Sequence, residues 1–370
     1  MTRPDSAQTG SAPAADGAPN VIPFRLPTLR KGAKGRILSG MRPTGKLHLG
    51  NYVGALQNWV ALQDEYENFH MVADWHALTT GTESVDEIQP NTYEMVLDWL
   101  AAGIDPAKSP IFVQSHVKEH AELHLLFSML ITKARLERNP TLKDQVRDLG
   151  LEESTISYGH LGYACLQAAD ILLYRANAVP VGEDQVPHVE ITREIARRFN
   201  YLYCEGRAPV FPEPEARLTK FPRLRGLDGN RMSKSVGNTI LLSDTPEEIF
   251  EKVRTAYTDP LKIRKTDPGH PEGCVVFEYH RLWNPEGAPE IDRLCRAGQL
   301  GCVEDKKNLA TILADRLAPI RERRAELAKR PDDVWDVIHD GDRRAREEAR
   351  ATMHEVREAM KLVDPKGGGN

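Results

Sequence analysis

The chain has 370 residues, of which 40% are hydrophobic and 28% are charged, which is typical of a soluble globular protein with room for two domains. Its apolar runs are too short to cross a bilayer, and it does not begin with the charged and apolar stretches of a signal peptide. Five scattered cysteines argue against a disulfide framework and favour a reducing cytoplasm. The net charge of -5 counts only weakly against a nucleic-acid partner, because a total conceals local basic patches.

The N-terminal segment is predicted to be a tail that leads into a strand. Residues 1–33 are rich in Ala, Pro, Gly and Ser and have almost no apolar periodicity, which predicts a disordered tail. Residues 35–38 are expected to form a short strand that ends in a turn at Ser39 and Gly40. A loop punctuated by proline and glycine then precedes a helix predicted around residues 52–66.

Strands and helices alternate in the next part of the chain. Residues 69–73 and 110–114 are apolar enough for buried strands, and residues 91–102 have the apolar face of a helix. Strands separated by helices predict a parallel, doubly wound α/β sheet, whose ligands bind at the carboxyl ends of the strands. The loop of residues 43–51 and the loop after residue 73 are therefore expected at the functional edge.

The last third of the chain is predicted to be helical. From about residue 245 the strand pattern disappears, and apolar residues recur at helical spacing. These residues include Leu309, Ile312, Leu313, Leu317 and Ile320. We therefore expect an α/β domain over residues 34–220, a mobile segment over residues 221–244 and a helical domain over residues 245–370.

A short motif, His48-Leu-Gly-Asn51, follows the first predicted strand and begins a helix. A glycine at this place lets a nucleotide approach the backbone, and a helix N-terminus favours phosphate. His48 and Asn51 would then donate hydrogen bonds to phosphate oxygens. A solvated turn is the ordinary alternative for so short a motif.

A second motif, Arg231-Met-Ser-Lys-Ser235, lies in a stretch rich in glycine and charge. Two basic residues with hydroxyl groups between them suit a pyrophosphate leaving group, whose negative charge grows in the transition state. An exposed basic loop is the alternative. Together on a parallel α/β scaffold, the two motifs resemble the His-Ile-Gly-His and Lys-Met-Ser-Lys-Ser signatures of class I aminoacyl-tRNA synthetases.

A third block narrows this resemblance. Residues 163–174 read Tyr-Ala-Cys-Leu-Gln-Ala-Ala-Asp-Ile-Leu-Leu-Tyr, residues 179–185 read Val-Pro-Val-Gly-Glu-Asp-Gln, and residues 188–193 read His-Val-Glu-Ile-Thr-Arg. This block resembles that of the bacterial tryptophanyl-tRNA synthetases, as do residues 39–45, 50–56 and 73–79. The resemblance covers residues 36–362. It implies a homodimer in which each chain has a Rossmann-like catalytic domain and a helical anticodon-binding domain.

The resemblance also implies a reaction. L-Tryptophan would be activated with ATP to tryptophanyl-adenylate, pyrophosphate would leave, and the tryptophanyl group would pass to the 3′ end of tRNA(Trp). The tryptophan carboxylate attacks the α-phosphate in line, so that the protein contributes position and charge rather than a nucleophile. A magnesium ion, Mg²⁺, would accompany the nucleotide.

The tryptophan site that the resemblance implies is apolar with one acceptor. Its residues would be Asp170, Tyr163, Gln167, Gln185, Val179, Val181 and Leu38. Asp170 would accept the indole N–H between the three aliphatic walls, while Tyr163 and Gln185 would hold the α-amino group. A buried acceptor rejects phenylalanine because the acceptor would be left unpaired. A helix cap or a surface acid is the ordinary alternative for Asp170.

The ATP site that the resemblance implies draws on both signatures. Its residues would be Arg42, Pro43, Thr44, Gly50, Asn51, Gly182, Glu183, Asp184, Leu224, Arg231, Met232, Ser233, Lys234 and Ser235. The first five would contact the phosphates, the next three the ribose, and Leu224 the adenine. The catalytic residues would be His48, Asn51, Arg231 and Lys234.

Two residues of the site depart from the family pattern. Arg231 begins the second signature where lysine is common, which keeps the charge and changes the shape of the contact. Gln167 stands where many members have methionine, and the spacing from Tyr163 through Gln167 to Asp170 also resembles tyrosyl-tRNA synthetases. Gln167 would either help to recognise the indole N–H or stand behind the residues that do.

The cysteines of the last third also depart from a known pattern. Cys274, Cys295 and Cys302 resemble three ligands of a four-cysteine iron–sulfur site in some bacterial relatives, but the fourth position is Asp305. Such clusters normally require four thiolates. We therefore expect no iron–sulfur cluster and no protein-bound metal.

Three alternatives remain open at this point: a tyrosyl-tRNA synthetase, a small-molecule adenylyltransferase, and a non-catalytic paralogue that acts as a binding protein. The first usually has Gly-Ser-Asp-Gln where this chain has Gly-Glu-Asp-Gln at residues 182–185. The second would need neither residues 231–235 nor a helical domain, and the third should have lost signature residues. Basic clusters near residues 262–265 and 316–324 could contact tRNA phosphates, although most such runs are solvated helix faces.

Overall fold

A computed structural model describes residues 29–81, 85–148, 150, 152–218 and 224–362. Most of the predicted tail, residues 1–28, lies outside the described residues, as do residues 219–223, which include the first three residues of the predicted mobile segment. Among the described helices, none is long and apolar enough to cross a membrane.

Five strands of the described residues form one parallel sheet. They are β1 (Arg36–Met41), β2 (Glu67–Val72), β3 (Ile111–Val113), β4 (Ala178–Val181) and β5 (Glu215–Leu218). The strand order is β3-β2-β1-β4-β5, and each neighbouring pair is parallel. β2 and β3 follow β1 on one side of it, and β4 and β5 lie on its other side. This reversal of strand order creates a crevice at the carboxyl ends of β1 and β4, where ligands bind in such folds. The predicted doubly wound sheet is confirmed.

The helices, labelled in chain order, surround this sheet and form the last third of the chain. They are α1 (Leu49–Asn51), α2 (Gln57–Leu62), α3 (Asp74–Leu78), α4 (Ile88–Ala102), α5 (Glu119–Ser128), α6 (Lys133–Glu137), α7 (Pro140–Asp148), α8 (Tyr158–Leu161), α9 (Tyr163–Leu173), α10 (Val186–Tyr203), α11 (Pro246–Arg254), α12 (Val275–Trp283), α13 (Ala288–Arg296), α14 (Cys302–Leu327) and α15 (Pro331–Ala359). The described residues after β5 contain helices and no strand, as the apolar spacing of that part predicts.

Two local predictions are wrong. The turn expected at Ser39 and Gly40 does not occur, because β1 continues to Met41. A side chain at position 40 would lie 2.9 Å from the backbone oxygen of Met71 on β2, so the glycine serves close approach of two strands and not a turn. The helix expected around residues 52–66 is present with different bounds: it begins with α1 at Leu49, continues through a π-helical turn (Tyr52–Leu56) and ends with α2 at Leu62.

Alternate residues of the strands point to two apolar cores, one on each face of the sheet. Met71 and Phe112 belong to the core that includes Phe127 of α5 and Phe199 of α10. The residues next to them in sequence, such as Val72, belong to the core beneath α4 and α14. The helical last third therefore packs against the sheet itself.

Close contacts join α15 and α14 to the α/β part. A Cβ atom at Gly341 of α15 would lie 1.8 Å from the backbone oxygen of Ile111, so only glycine allows the helix to approach β3 this closely. The next residue, Asp342, accepts a hydrogen bond from the backbone N–H of Val113 at 2.9 Å. On α14, Arg324 donates to the buried carboxylate of Asp98 at 2.7 Å.

These contacts change the interpretation of the two basic clusters. Arg324 is committed to Asp98, and Arg323 donates to the backbone oxygen of Ala101 at 3.1 Å. Lys262 is 8% exposed, and its ammonium group donates to backbone oxygens of its own loop. These three side chains hold the fold together, whereas Arg316 is exposed on α14.

Candidate active site

A cavity of about 570 Å³ opens at the carboxyl ends of β1 and β4. Many of the residues that the sequence singles out for tryptophan and the nucleotide line it together. They are Leu38, Arg42, Tyr163, Gln167, Asp170, Val179, Val181, Gly182, Asp184, Gln185 and Arg231. Ser39, Trp59 and His76 also line it, although none of them was predicted for the site. The switch point of the sheet thus brings together segments that are distant in sequence.

The carboxylate of Asp170 lies at the base of this cavity and is almost fully enclosed. The residue is 1% exposed, which excludes a surface acid. Its Oδ1 accepts hydrogen bonds from Gln114 Nε2 at 2.8 Å and His120 Nδ1 at 2.6 Å, and its Oδ2 accepts one from His76 Nε2 at 2.7 Å. Burial raises the pKa of Asp170, but hydrogen bonds from His120 and His76 outweigh it and hold the pKa below its usual range. The group is therefore ionised at neutral pH.

The three partners of Asp170 were not predicted from the sequence. His76 lies within the 73–79 block, and its position after β2 is the only sequence signal for it. Gln114 follows β3 directly, at the same edge of the sheet. His120 gave no signal, since its link to Asp170 depends on how α5 packs against α9. The hydroxyl of Tyr174 lies 2.8 Å from His120 Nε2 and completes this buried network.

The cavity is also lined by polar side chains from α9 and from the turn that precedes α10. The ring of Tyr163 packs on that of His76 with centroids 4.3 Å apart. The amide oxygens of Gln167 and Gln185 lie 2.8 and 3.1 Å from Nδ1 of His188, a buried residue behind them. The role of His188 was not predicted, although it begins the third segment of the 163–193 block.

The first signature is held by a reciprocal cap. The backbone N–H of Asn51 donates to His48 Nδ1 at 3.3 Å, and the backbone N–H of His48 donates to Asn51 Oδ1 at 3.2 Å. Burial and the nearby charge of Lys234 lower the pKa of His48 to about 4. The ring is therefore neutral at pH 7, with its hydrogen on Nε2. A Cβ at Gly50 would lie 3.0 Å from both the His48 ring and the sulfur of Met232, so the glycine is also required for packing.

The two signatures meet in the structure. Backbone hydrogen bonds pair residues 47–49 with residues 240–242, just after the second signature. The ammonium group of Lys234 donates to the backbone oxygen of Thr44 at 2.5 Å. Burial lowers the pKa of Lys234. The conformation of the second signature depends on Asn238, whose side chain accepts from the backbone N–H of Ser233 at 2.8 Å and was not predicted.

Other predicted nucleotide residues differ in exposure. Met232 is buried and Pro43 is buried, whereas Ser235 and Glu183 are exposed. Leu224 is 7% exposed within the core that contains Met232, and it does not line the cavity. Its contact with adenine stays a prediction.

The structure offers little for a metal ion. Within the described ranges, no group of three or more His, Cys, Asp or Glu side chains is arranged to hold one. Asp305, which stands where a fourth cysteine would be needed, lies 3.1 Å from His280 Nε2. Cys274 is buried, and burial raises the pKa of its thiol, which disfavours the thiolate that a cluster requires.

Similarity to known proteins identifies the family. Residues 30–318 match the family model described as tRNA synthetases class I (W and Y). The chain is 52% identical to the tryptophan–tRNA ligase of Thermotoga maritima over 331 residues, which cover 89% of this chain and 99% of that protein. It is 46% identical to the tryptophan–tRNA ligase of Aquifex aeolicus, with 88% of this chain and 100% of that protein covered. The chain belongs to the tryptophanyl-tRNA synthetase family.

A solved structure of this family agrees. The fold is similar to that of tryptophanyl-tRNA synthetase from Campylobacter jejuni complexed with ADP and tryptophan, with a TM-score of 0.78, 33% identity, and coverage of 88% of this chain and 99% of that chain. The resemblance inferred from the two signatures and the 163–193 block is thus confirmed. The family model covers two specificities, and these relatives favour tryptophan over tyrosine.

Proposed function

We propose that the chain catalyses ATP-dependent activation of L-tryptophan to tryptophanyl-adenylate, with release of pyrophosphate, and transfer of the tryptophanyl group to the 3′ end of tRNA(Trp). The observation that carries the proposal is the ionised, enclosed carboxylate of Asp170 in a cavity that is also lined by the aliphatic side chains of Leu38, Val179 and Val181. Burying a charge costs free energy unless the charge is paired. Buried ionised groups in a cavity are therefore concentrated at functional sites. Family membership and the paired signatures support the reaction.

The indole ring would enter between the aliphatic walls. Two of the three hydrogen bonds to Asp170 reach Oδ1 and one reaches Oδ2, so Oδ2 can accept another donor. The indole N–H is such a donor, and Leu38, Val179 and Val181 would contact the ring. Phenylalanine would leave that position of Oδ2 unfilled and would be rejected for this reason.

The nucleotide would lie across the two signatures. The neutral ring of His48 presents an Nε2–H donor, because Nδ1 already accepts from Asn51. Residues 42–44, 50 and 51 would contact the phosphates, and residues 182–184 the ribose. The tryptophan carboxylate attacks the α-phosphorus, the bond to the pyrophosphate oxygen breaks, and Arg231 and Lys234 stabilise the charge that develops on the leaving group.

A magnesium ion would be coordinated chiefly by the nucleotide. The described residues provide no three-carboxylate or histidine group for it, and phosphate oxygens are ligands that Mg²⁺ prefers. When bound, the ion would neutralise part of the phosphate charge. No role of the residues above depends on it.

We propose that three parts of the chain have different tasks. Residues 34–220 would form the catalytic domain, residues 221–244 a mobile signature segment, and residues 245–370 the domain that reads the anticodon. The exposed side chain of Arg316 on α14 is available to a tRNA phosphate, unlike the arginines bonded to α4.

A homodimer is supported by an exposed apolar surface beside α5 and α10. Leu125 is 56% exposed, Met129 66% and Tyr201 83%. Leu130, Ile131 and Tyr201 also line one shallow depression, together with charged side chains such as Arg135 and Glu194. Large apolar side chains that are exposed on one side of a protein can be covered by a partner, and a second copy is the partner that we propose. The free cysteines support a cytoplasmic location.

The test is amino-acid-dependent exchange between ATP and pyrophosphate, with tryptophan, tyrosine and phenylalanine measured separately. We expect exchange with tryptophan alone. Exchange with tyrosine instead would move the chain to the sister specificity, and no exchange would contradict the proposed activity. Charging of tRNA(Trp) by the purified chain, with a tyrosine tRNA as control, tests the second step.

A further inference from the structure

Two glutamines of the cavity share one hydrogen-bond donor. Gln167 lies on α9, one turn after Tyr163, and Gln185 directly precedes α10. The oxygen atoms of both amides lie within hydrogen-bond distance of Nδ1 of His188, at 2.8 and 3.1 Å. Amide oxygens are acceptors, so Nδ1 must carry the hydrogen and donate to both.

The surroundings of His188 hold its ring in this position. Its side chain is in the first turn of α10 and is 1% exposed. The centroid of its ring lies 5.5 Å from that of Tyr163. Burial lowers the pKa of His188 to about 4, so that the ring is neutral at pH 7 and adds no positive charge beside the two amides.

The orientation of the amides matters because an amide has two different ends. With the oxygen of Gln185 at His188, its nitrogen donates to Asp184 Oδ2 at 3.1 Å, which fixes the whole group. Each amide oxygen accepts two hydrogen bonds, and His188 takes one. Because both oxygens bind the same nitrogen, they lie close together, and both glutamines line the cavity. Two neighbouring oxygens, each with a second acceptor position, suit a cation that donates several hydrogen bonds, such as an ammonium group.

We propose that His188 is a positioning residue that holds the amide oxygens of Gln167 and Gln185 together as the acceptor site for the α-ammonium group of the bound amino acid. This inference depends on the proposed function. It assigns to Gln167 a contact that methionine at this position cannot make, and it separates Gln167 from recognition of the indole N–H. Without the donor, either amide can rotate and present its NH₂ group, which repels an ammonium ion.

A matched pair of variants tests the donor. The side-chain nitrogen of asparagine reaches the place of Nδ1, and that of glutamine reaches the place of Nε2. His188→Gln should therefore raise KM for tryptophan about tenfold, as expected for loss of a hydrogen bond near a charged group, and leave KM for ATP unchanged. His188→Asn should raise KM for tryptophan less, about threefold, because a donor is retained near the position of Nδ1.

Two inhibitors separate positioning from general damage to the cavity. Tryptamine retains the ammonium group and lacks the carboxylate, while indole-3-propionate has the reverse. In His188→Gln, inhibition by tryptamine should weaken about tenfold and inhibition by indole-3-propionate should not change. Equal weakening of both, or equal losses in His188→Asn and His188→Gln, would overturn the proposal.

A third variant covers the case in which His188→Gln does not fold. Gln167→Met removes one acceptor and leaves His188 in place. Inhibition by tryptamine should weaken about threefold in this variant. Unchanged tryptamine inhibition in Gln167→Met would contradict the shared site. Failure of the wild-type chain to exchange with tryptophan would instead contradict the proposed function, so the two failures are distinguishable.

Discussion

The base of the cavity and the second signature differ in how they are held. The base, Asp170 with His76, Gln114 and His120, is supported by hydrogen bonds from three separate elements and is closed to solvent. The second signature, residues 231–235, includes exposed residues, and its Lys234 is anchored through the backbone oxygen of Thr44. One region is enclosed on all sides, whereas the other combines the buried side chain of Met232 with exposed side chains such as Ser235.

This difference matches the two tasks. Selection of one side chain requires an acceptor whose position does not change, because a mobile acceptor would adapt to competitors. Binding ATP and releasing pyrophosphate require a segment that can adjust, and a partly exposed segment does so at a lower cost than an enclosed one. Variants in the base should therefore alter selection and stability, while variants in the second signature should alter rate.

The largest effect is expected for Asp170→Ala. The variant removes the indole acceptor and leaves three buried donors unpaired, so tryptophan-dependent exchange should fall on the order of a thousandfold. The measurement is ATP–pyrophosphate exchange at saturating ATP, with circular dichroism to show that the chain is folded. Asp144→Ala is the matched control, since it removes an exposed carboxylate from the same cavity and should change exchange less than about threefold. A folded Asp170→Ala protein with near-normal exchange would remove Asp170 from its proposed role.

The next effect is expected for Lys234→Ala. This variant removes a charge that stabilises the leaving group and touches nothing at the base, so kcat should fall about a hundredfold with little change in KM for tryptophan. Steady-state exchange over a range of tryptophan concentrations measures both. If KM for tryptophan rose as much as kcat fell, the proposed separation between base and signature would be wrong.

A smaller effect, on stability, is expected at His70 of β2. The residue is 0% exposed, neither ring nitrogen has a hydrogen-bond partner within the described part of the chain, and the ring stacks 4.8 Å from Trp59 of the cavity. Burial lowers the pKa of His70 from 6.5 to about 3. Below pH 6.5 the unfolded chain binds a proton that the folded chain does not, so stability falls as the pH falls from about 6.5 towards 3.

His70→Phe should remove this dependence. At pH 5 the contribution is about 2 kcal/mol, from roughly 1.4 kcal/mol for each of about one and a half pH units. Urea unfolding at pH 7.5 and pH 5 should therefore show a smaller loss of unfolding free energy in His70→Phe than in the wild-type chain. His339→Phe, at an exposed position of α15, is the control and should leave the loss unchanged. Equal losses in all three proteins would show that His70 is not the source.

Much of the fold could be predicted from periodicity. The apolar runs of β2 and β3 and the spacing of α14 are local signals, and each depends on residues close together in sequence. The turn predicted at Ser39 and Gly40 was wrong because a glycine in a loop and a glycine between paired strands look alike until the pairing with Met71 is known.

The site could be predicted in part for the same reason. Asp170, Gln185 and Lys234 lie in contiguous motifs, and such motifs are readable in one chain. His120 and Asn238 act through contacts that the tertiary fold creates, and neither residue type at its position carries a signal of its own. The opposite error concerns Arg324. It was predicted as a contact for tRNA phosphates because it is a basic residue on a helix, but it donates a hydrogen bond to the buried carboxylate of Asp98.

The smallest effect is expected for Arg231→Lys, which restores the residue that the family commonly has. The positive charge is kept, and a partly exposed segment can adjust to a shorter reach, so kcat should change less than about threefold. In Arg231→Ala, measured in the same exchange assay, kcat should fall about tenfold or more because the positive charge is removed. If Arg231→Lys were as slow as Arg231→Ala, the planar guanidinium would be required, and the second signature would be held as strictly as the base.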